Sequence, residues 1–151
     1  MRIRNVQPAD HTVLVDIWLH SARATHTFLS EADIQSLLPI VRDTALAGLE
    51  LWVLCAGASE AVGFMGLSGA SVEALFIAPA WTRRGGGRML LDHAHRLKGR
   101  LSVEVNEQNP QATQFYLACG FAVVGRSELD SGGRPFPLLR MRQPVAPAPC
   151  R

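Results

Sequence analysis

Lysine is nearly missing from this chain: Lys98 stands alone against fourteen arginines in 151 residues. The imbalance reads as coding bias, since either side chain carries the same charge. Charge itself is scarce, with 19% Asp, Glu, Lys and Arg and a net charge of +2. That excludes a binder of nucleic acid or membrane that works through its whole surface; any anion site must be a local cluster. There are three cysteines, Cys55, Cys119 and Cys150, an odd number with no CxxC pair, which excludes a disulfide framework and points to a reducing compartment. No metal set emerges: His93 and His95 sit two apart on a helical stretch and point to different sides. No apolar run approaches the roughly 18 residues that span a bilayer, and no charged-then-apolar leader opens the chain. The expectation is a cytoplasmic protein.

What is present is one domain's worth of chain with 48% hydrophobic residues. Met1 to Gln7 alternates as a short edge strand, and Pro8 opens a helix with Leu14, Ile17 and Trp18 on one stripe. After the loop Ala24 to Leu29, Ser30 caps a second helix with Asp33 three residues on, and Pro39 kinks or splits it. Leu51–Ala56, Ala61–Ser68 and Val72–Ile77 form an antiparallel meander. A helix runs to about Lys98, a strand covers Leu101–Val105, and Asn109-Pro110 caps a helix that Gly120 stops. Phe121–Arg126 and Pro137–Met141 are the last strands, and 143–151 reads as a Pro/Ala-rich disordered tail after a single domain over 1–142. The class is α/β with a mixed sheet, in the order β-α-α-β-β-β-α-β-α-β-β.

Two stretches could carry chemistry. In the first, a strand leads through Arg83-Arg84-Gly85-Gly86-Gly87-Arg88 into a helix. Glycines let a backbone approach a ligand, and the first amides of a helix lack partners and bind phosphate. The run fits neither a Walker loop nor the dinucleotide fingerprint, whose third glycine position holds Leu90. A flexible turn with solvated arginines is the alternative. In the second, a strand ending in Asn106 leads to a helix with Phe115-Tyr116. The plain alternative there is a core-facing Phe115 beside a rim tyrosine.

Together the two stretches resemble the GNAT superfamily of acyl-CoA N-acyltransferases. The first matches as Leu75-Phe76-Ile77-Ala78-Pro79 followed by Gly85-Gly86-Gly87, the second as Asn106, Ala112, Phe115-Tyr116 and Gly120-Phe121. The position that family fills with Arg or Gln is Thr82 here, with Arg83 one residue later. The resemblance covers about residues 2–142. It implies a sheet splayed into a V, acetyl-CoA as co-substrate, and transfer to an amine of a small molecule or peptide by direct attack in a ternary complex. It places the cofactor against Phe76, Ile77, Arg83, Arg84, Gly85, Gly86, Gly87, Arg88, Asn106 and Tyr116. The loop with His26 and Phe28 then borders the acceptor.

Such a transfer needs a deprotonated amine, a donor to the thioester oxygen and a donor to the leaving thiolate. The resemblance suggests the Ile77 N–H for the oxygen and Tyr116 as acid. Glu73 is the candidate base, because strand alternation puts it on the face of Leu75 and Ile77. His26 is an alternative base, and Glu73 also reads as an ordinary surface carboxylate. The competing function is a non-catalytic acyl-CoA-binding or interaction module on the same fold. Three arginines in one loop are too few for nucleic acid, and no metal or membrane is expected. The oligomeric state is open, a homodimer included.

Overall fold

A computed structural model describes residues 1–25 and 28–144. The elements are β1 Arg2–Asn5, α1 His11–Thr25, α2 Glu31–Ile40, β2 Glu50–Ala56, β3 Glu60–Ser68, β4 Ser71–Ile77, α3 Gly86–Lys98, β5 Ser102–Asn106, α4 Pro110–Ala118, β6 Ala122–Ser127 and β7 Leu138–Arg142. They follow the order expected from the sequence. Ser30 and Asp33 close the reciprocal cap on α2. Pro39 lies inside α2 without splitting it, and the helix then widens into a π turn over Val41–Ala45. Among the described residues no helix is long and apolar enough to cross a membrane.

The strands form one seven-stranded sheet in the order β1-β2-β3-β4-β5-β7-β6. Every neighbouring pair is antiparallel except β4 and β5. The pattern of burial fills both faces of the first half. Leu14, Ile17 and Trp18 of α1 pack with Val53 and Phe64 on one face. On the other, Leu90 and Leu91 of α3 and Tyr116 of α4 pack with Leu54, Met65, Val103, Val105 and Met141. The second core crosses from β2 to β7, so apolar packing joins the two halves of the sheet.

Backbone pairing joins them far less. β4 and β5 are matched only at Ser71 with Ser102 and Val72 with Val103. Beyond that point the strands part, as the splayed sheet implied. A register shift sits at the same place on the other side of β4, where Gly66 faces Ala74 but Leu67 faces Val72. Glu73 is therefore the extra residue of a β-bulge. Simple alternation is therefore interrupted at Glu73, and past the bulge it is Val72 that joins Leu75 and Ile77 in the core.

Polar contacts tie the ends. Lys98 binds Glu50 at 2.8 Å, joining the end of α3 to β2. Gln143, assigned to the tail by sequence, is buried and accepts the Leu101 N–H at 2.9 Å. The rest of the tail, 145–151, lies outside the described residues. At the other end Arg4 grips Asp10 through two bonds of 2.8 and 2.9 Å, and Asp10 accepts the Gln7 N–H at 2.7 Å. Asp10 thus caps the turn that starts α1 and locks it to edge strand β1.

The Arg4 hydrogen bonds, helped by the Gln7 N–H, hold the Asp10 carboxyl below its ordinary value against the opposing push of burial. A depressed folded pKa stabilises above the unfolded value and is lost as pH falls through the folded one. Asp10→Asn should therefore lower Tm at pH 7 by about 3 °C, the equivalent of about 1 kcal/mol for a lost cap. The gap between variant and wild type should close in acid below the ordinary carboxylate range. Thermal melts from pH 7 to pH 2 check both.

Candidate active site

The parting of β4 from β5 opens a cavity of about 530 Å³ lined by both strands, α1, α3 and α4. Strand geometry decides what β4 presents to it. The Ala78 N–H donates to Val62 O at 2.8 Å, so that amide points toward β3. Alternation aims the Phe76 amide the same way and turns those of Ile77 and Leu75 into the gap. The expected Ile77 donor is thus presented. Phe76 lines the cavity, but its ring packs 5.6 Å from Phe64 on the α1 side.

One end of the cavity is the glycine turn. Arg83 and Gly85 both have positive φ, 62° and 86°, and fold the chain sharply into α3. The first helical amide with an internal acceptor is Met89, which donates to Gly85 O at 3.0 Å. The amides of Gly86, Gly87 and Arg88 precede it and have no carbonyl within the helix to meet. Arg83 and Arg88 line the cavity with them. The glycines have divided duties. A Cβ on Gly86 would sit 2.5 Å from Leu54 Cδ2, and one on Gly87 would sit 2.9 Å from Phe115 Cζ. These two bring α3 close to the sheet and α4, while Gly85 supplies the left-handed turn. Arg84 is not part of the lining; its guanidinium stacks 4.8 Å over Trp81 and braces the loop. The Thr82 hydroxyl donates to Pro79 O at 3.0 Å, so it serves the loop itself.

The opposite wall is β5 and α4. Asn109 caps α4 by accepting the Ala112 N–H at 3.2 Å, which seats the helix just beyond the strand end. Asn106 lines the cavity with its side-chain oxygen buried and without a hydrogen-bond partner among the described residues. A buried acceptor left open in this way fits a donor supplied by a ligand, such as the amide N–H of a pantetheine arm. Tyr116 and Phe115 exchange the roles read from sequence. Tyr116 is buried at 6% exposure, edge-on to Phe115 and Phe121 with ring centroids at 5.1 and 5.3 Å, and reaches the cavity wall from below. Phe115 is the partly buried one, held under Gly87. Burial pushes the Tyr116 phenol well above its ordinary pKa, so it stays protonated throughout the neutral range.

Two carboxylates flank the place where the strands part. Glu73 and Glu104 each follow the last paired residue of their strand, both are exposed, and both line the cavity. Val103 and Val105 point into the core beneath α4, so alternation puts Glu104 on the opposite face. Sequence inspection singled out Glu73 and passed over Glu104, because one glutamate in a strand looks like any solvent-facing residue. Its position opposite the bulge needs the sheet register. Of the expected acceptor residues, His26 lies outside the described residues. Phe28 packs its ring 5.7 Å from Phe136, joining the loop after α1 to the loop before β7. Phe136 precedes Pro137, whose carbonyl accepts the Glu107 N–H at 2.9 Å, so this contact stands at the Asn106 end of the split.

Comparison with known proteins places this geometry. Residues 47–123 match the family described as "Acetyltransferase (GNAT) domain". The chain is 44% identical over 144 residues to the peptidyl-lysine N-acetyltransferase YjaB of Salmonella typhimurium, covering 95% of this chain and 99% of the relative. The solution structure of apo-form YjaB from Escherichia coli superposes with a TM-score of 0.88 at 42% identity, covering 97% and 98% of the two chains. The PaiA N-acetyltransferase of Thermoplasma acidophilum, solved in complex with coenzyme A, shares the fold with a TM-score of 0.75 at 21% identity, over 94% and 97%. With the parted strands and the glycine turn in the expected places, this chain belongs to the GNAT family of acetyltransferases.

Proposed function

We propose that this acetyltransferase modifies the ε-amine of lysine in a protein or peptide, drawing the acetyl group from acetyl-CoA. The observation that carries the reading is the pair Glu73 and Glu104, two exposed carboxylates with no salt bridge among the described residues, at the entrance of the split. A lysine ammonium, positively charged at neutral pH, is attracted to such a pair and has to lose a proton there before it can attack. The 44%-identical relative named a peptidyl-lysine N-acetyltransferase supports the same acceptor. Cys55 and Cys119 are buried and form no disulfide among the described residues, which fits a reducing cytoplasm as the place of action.

The site's residues divide the work. The amides of Gly86 to Arg88 would hold the pyrophosphate, with Arg83 and Arg88 adding positive field. The open edge of β4 and the Asn106 oxygen would take the pantetheine amides. When bound, the co-substrate supplies an activated acetyl thioester. The Ile77 N–H donates to its oxygen as negative charge builds there. Glu73 or Glu104, directly or through water, takes the ammonium proton. The Tyr116 hydroxyl donates its proton to the departing sulfur, whose ordinary pKa lies well below that of the buried phenol. As the carbon–sulfur bond breaks and the amide forms, the nitrogen gives up its second proton, which restores the phenol directly or through solvent, so the net products are the amide, the free thiol and the one proton held by the carboxylate.

Tyr116→Phe keeps the ring packing and deletes the donor. kcat should fall by about 10²–10⁴-fold with little change in KM for acetyl-CoA. A fall of less than about threefold in single-turnover experiments would withdraw the role. Glu73→Gln and Glu104→Gln should each raise KM for a lysine peptide by about tenfold, and the one that also lowers kcat is the base. If both variants left the peptide kinetics unchanged, the acceptor would bind elsewhere. Gly87→Asp adds negative charge beside the pyrophosphate amides and drives a side chain against Phe115. Its affinity for free CoA, read by calorimetry, should drop about 100-fold, and unchanged affinity would move the phosphate site.

A further inference from the structure

Among the described residues, the second half of the sheet has one covered face and one bare face. α3 and α4 lie on the face of Val103, Val105 and Met141. On the other face α1 packs against β3 and β4, and among the described residues the apolar core on that face takes in no residue of β5, β7 or β6. Alternation and register bring Glu104 and Ser102 of β5 together there with Arg140 and Arg142 of β7. Glu104 and both arginines are exposed, so this is a charged floor that begins at the split.

Glu104 and Arg140 are directly opposite each other in the β5–β7 register. Opposite charges in that position ordinarily pair across the strands. Here they do not. Arg140 turns toward β6, where its Nη1 donates to Ser127 Oγ at 2.9 Å. Its guanidinium lies over Gly125, where any side chain would overlap it. Gly125 and Ser127 therefore form a seat for the guanidinium, and two consequences follow. Glu104 is left free for a cation. A fixed positive group stands two strands away, about 10 Å from β5, with its other N–H donors having no partner among the described residues.

We propose that the bare face of β5, β7 and β6 carries the segment of a protein substrate that surrounds the acceptor lysine, and that Arg140 recognises an acidic side chain two to three residues from that lysine. The spacing follows from the strand separation: an extended chain advances about 3.3 Å per residue, so about 10 Å is covered in about three residues. Charge complementarity sets the selectivity. The floor runs from negative at Glu73 and Glu104 to positive at Arg140 and Arg142, and a lysine followed at a distance by Asp or Glu runs the opposite way. A basic residue in that second position meets Arg140 and Arg142 and is disfavoured. This inference rests on the lysine-acceptor reading above.

The test uses the full chain, acetyl-CoA and single-lysine peptides of equal length that carry Asp, Ala or Arg at two and three residues to either side. Wild type should prefer the best Asp peptide over Ala by about tenfold in kcat/KM, as expected for one charge-assisted contact at an exposed site. Arg140→Gln should reduce that preference to within about twofold, while activity on the Ala peptide and CoA affinity stay within about twofold. Arg140→Lys should restore part of the preference, and Arg140→Glu should reverse it toward Arg. A preference that survives in Arg140→Gln, or wild type that acetylates all three peptide types equally, overturns the inference and leaves the lysine reading intact. Failure on every lysine peptide, with turnover of small amines, overturns both.

Discussion

Two parallel strands that pair at only two positions organise this molecule. β4 and β5 start side by side at Ser71–Ser102 and Val72–Val103 and then separate. A crossover through α3 makes such a parallel pair, and the apolar core from Leu54 to Met141 keeps its halves together where hydrogen bonds do not. The backbone groups released along β4 need partners, because unpaired amides within a fold are costly. The cavity, its binding edge and its position in mid-sheet all follow from that separation.

The bulge at Glu73 adds a second effect at the same point. One additional residue in β4 returns Val72 to the core while freeing Glu73. On β5 ordinary alternation brings Glu104 to the matching position. The split consequently has two chemically different sides. The α3 and α4 side offers backbone amides, arginines and a phenol. The other offers carboxylates and an open charged floor. An anionic co-substrate and a cationic acceptor are thus drawn to opposite sides of one gap, with the Ile77 amide between them.

Much of this was legible in the sequence. The interleaving of elements, the reciprocal cap at Ser30 and Asp33, and the glycine turn before α3 are local signals, and each gave the right structure. The splayed sheet came with the family resemblance, since nothing in a strand's composition says where its neighbour leaves it. Other features depend on register or tertiary contact. Alternation read through β4 did not foresee the interruption at Glu73, because a bulge leaves no signature in Ser71–Ile77 itself. Arg84 stood among the cofactor contacts that the resemblance implied, and the structure stacks it on Trp81 outside the cavity lining. Tyr116 and Phe115 exchanged depths because Phe121, beyond the end of the helix, packs against the tyrosine. Glu104 and Arg140 gain their meaning only from the three-strand register that sets one beside the split and the other over Gly125.

The parted strands have a further consequence for how the chain keeps to itself. A seven-stranded sheet normally exposes its backbone along two outer strands, and such margins invite other chains to add on. This one has two more margins inside, along Glu73–Ile77 and Glu104–Asn106. α3 and α4 cover one side of that opening and α1 covers its β4 edge on the other, so a neighbouring molecule's strand has no straight approach to the β4 margin. A slender linear arm does. The recess thereby separates two processes that share the same hydrogen-bonding groups: it admits the guest that a working enzyme needs and keeps out the β-addition that would lead to aggregates.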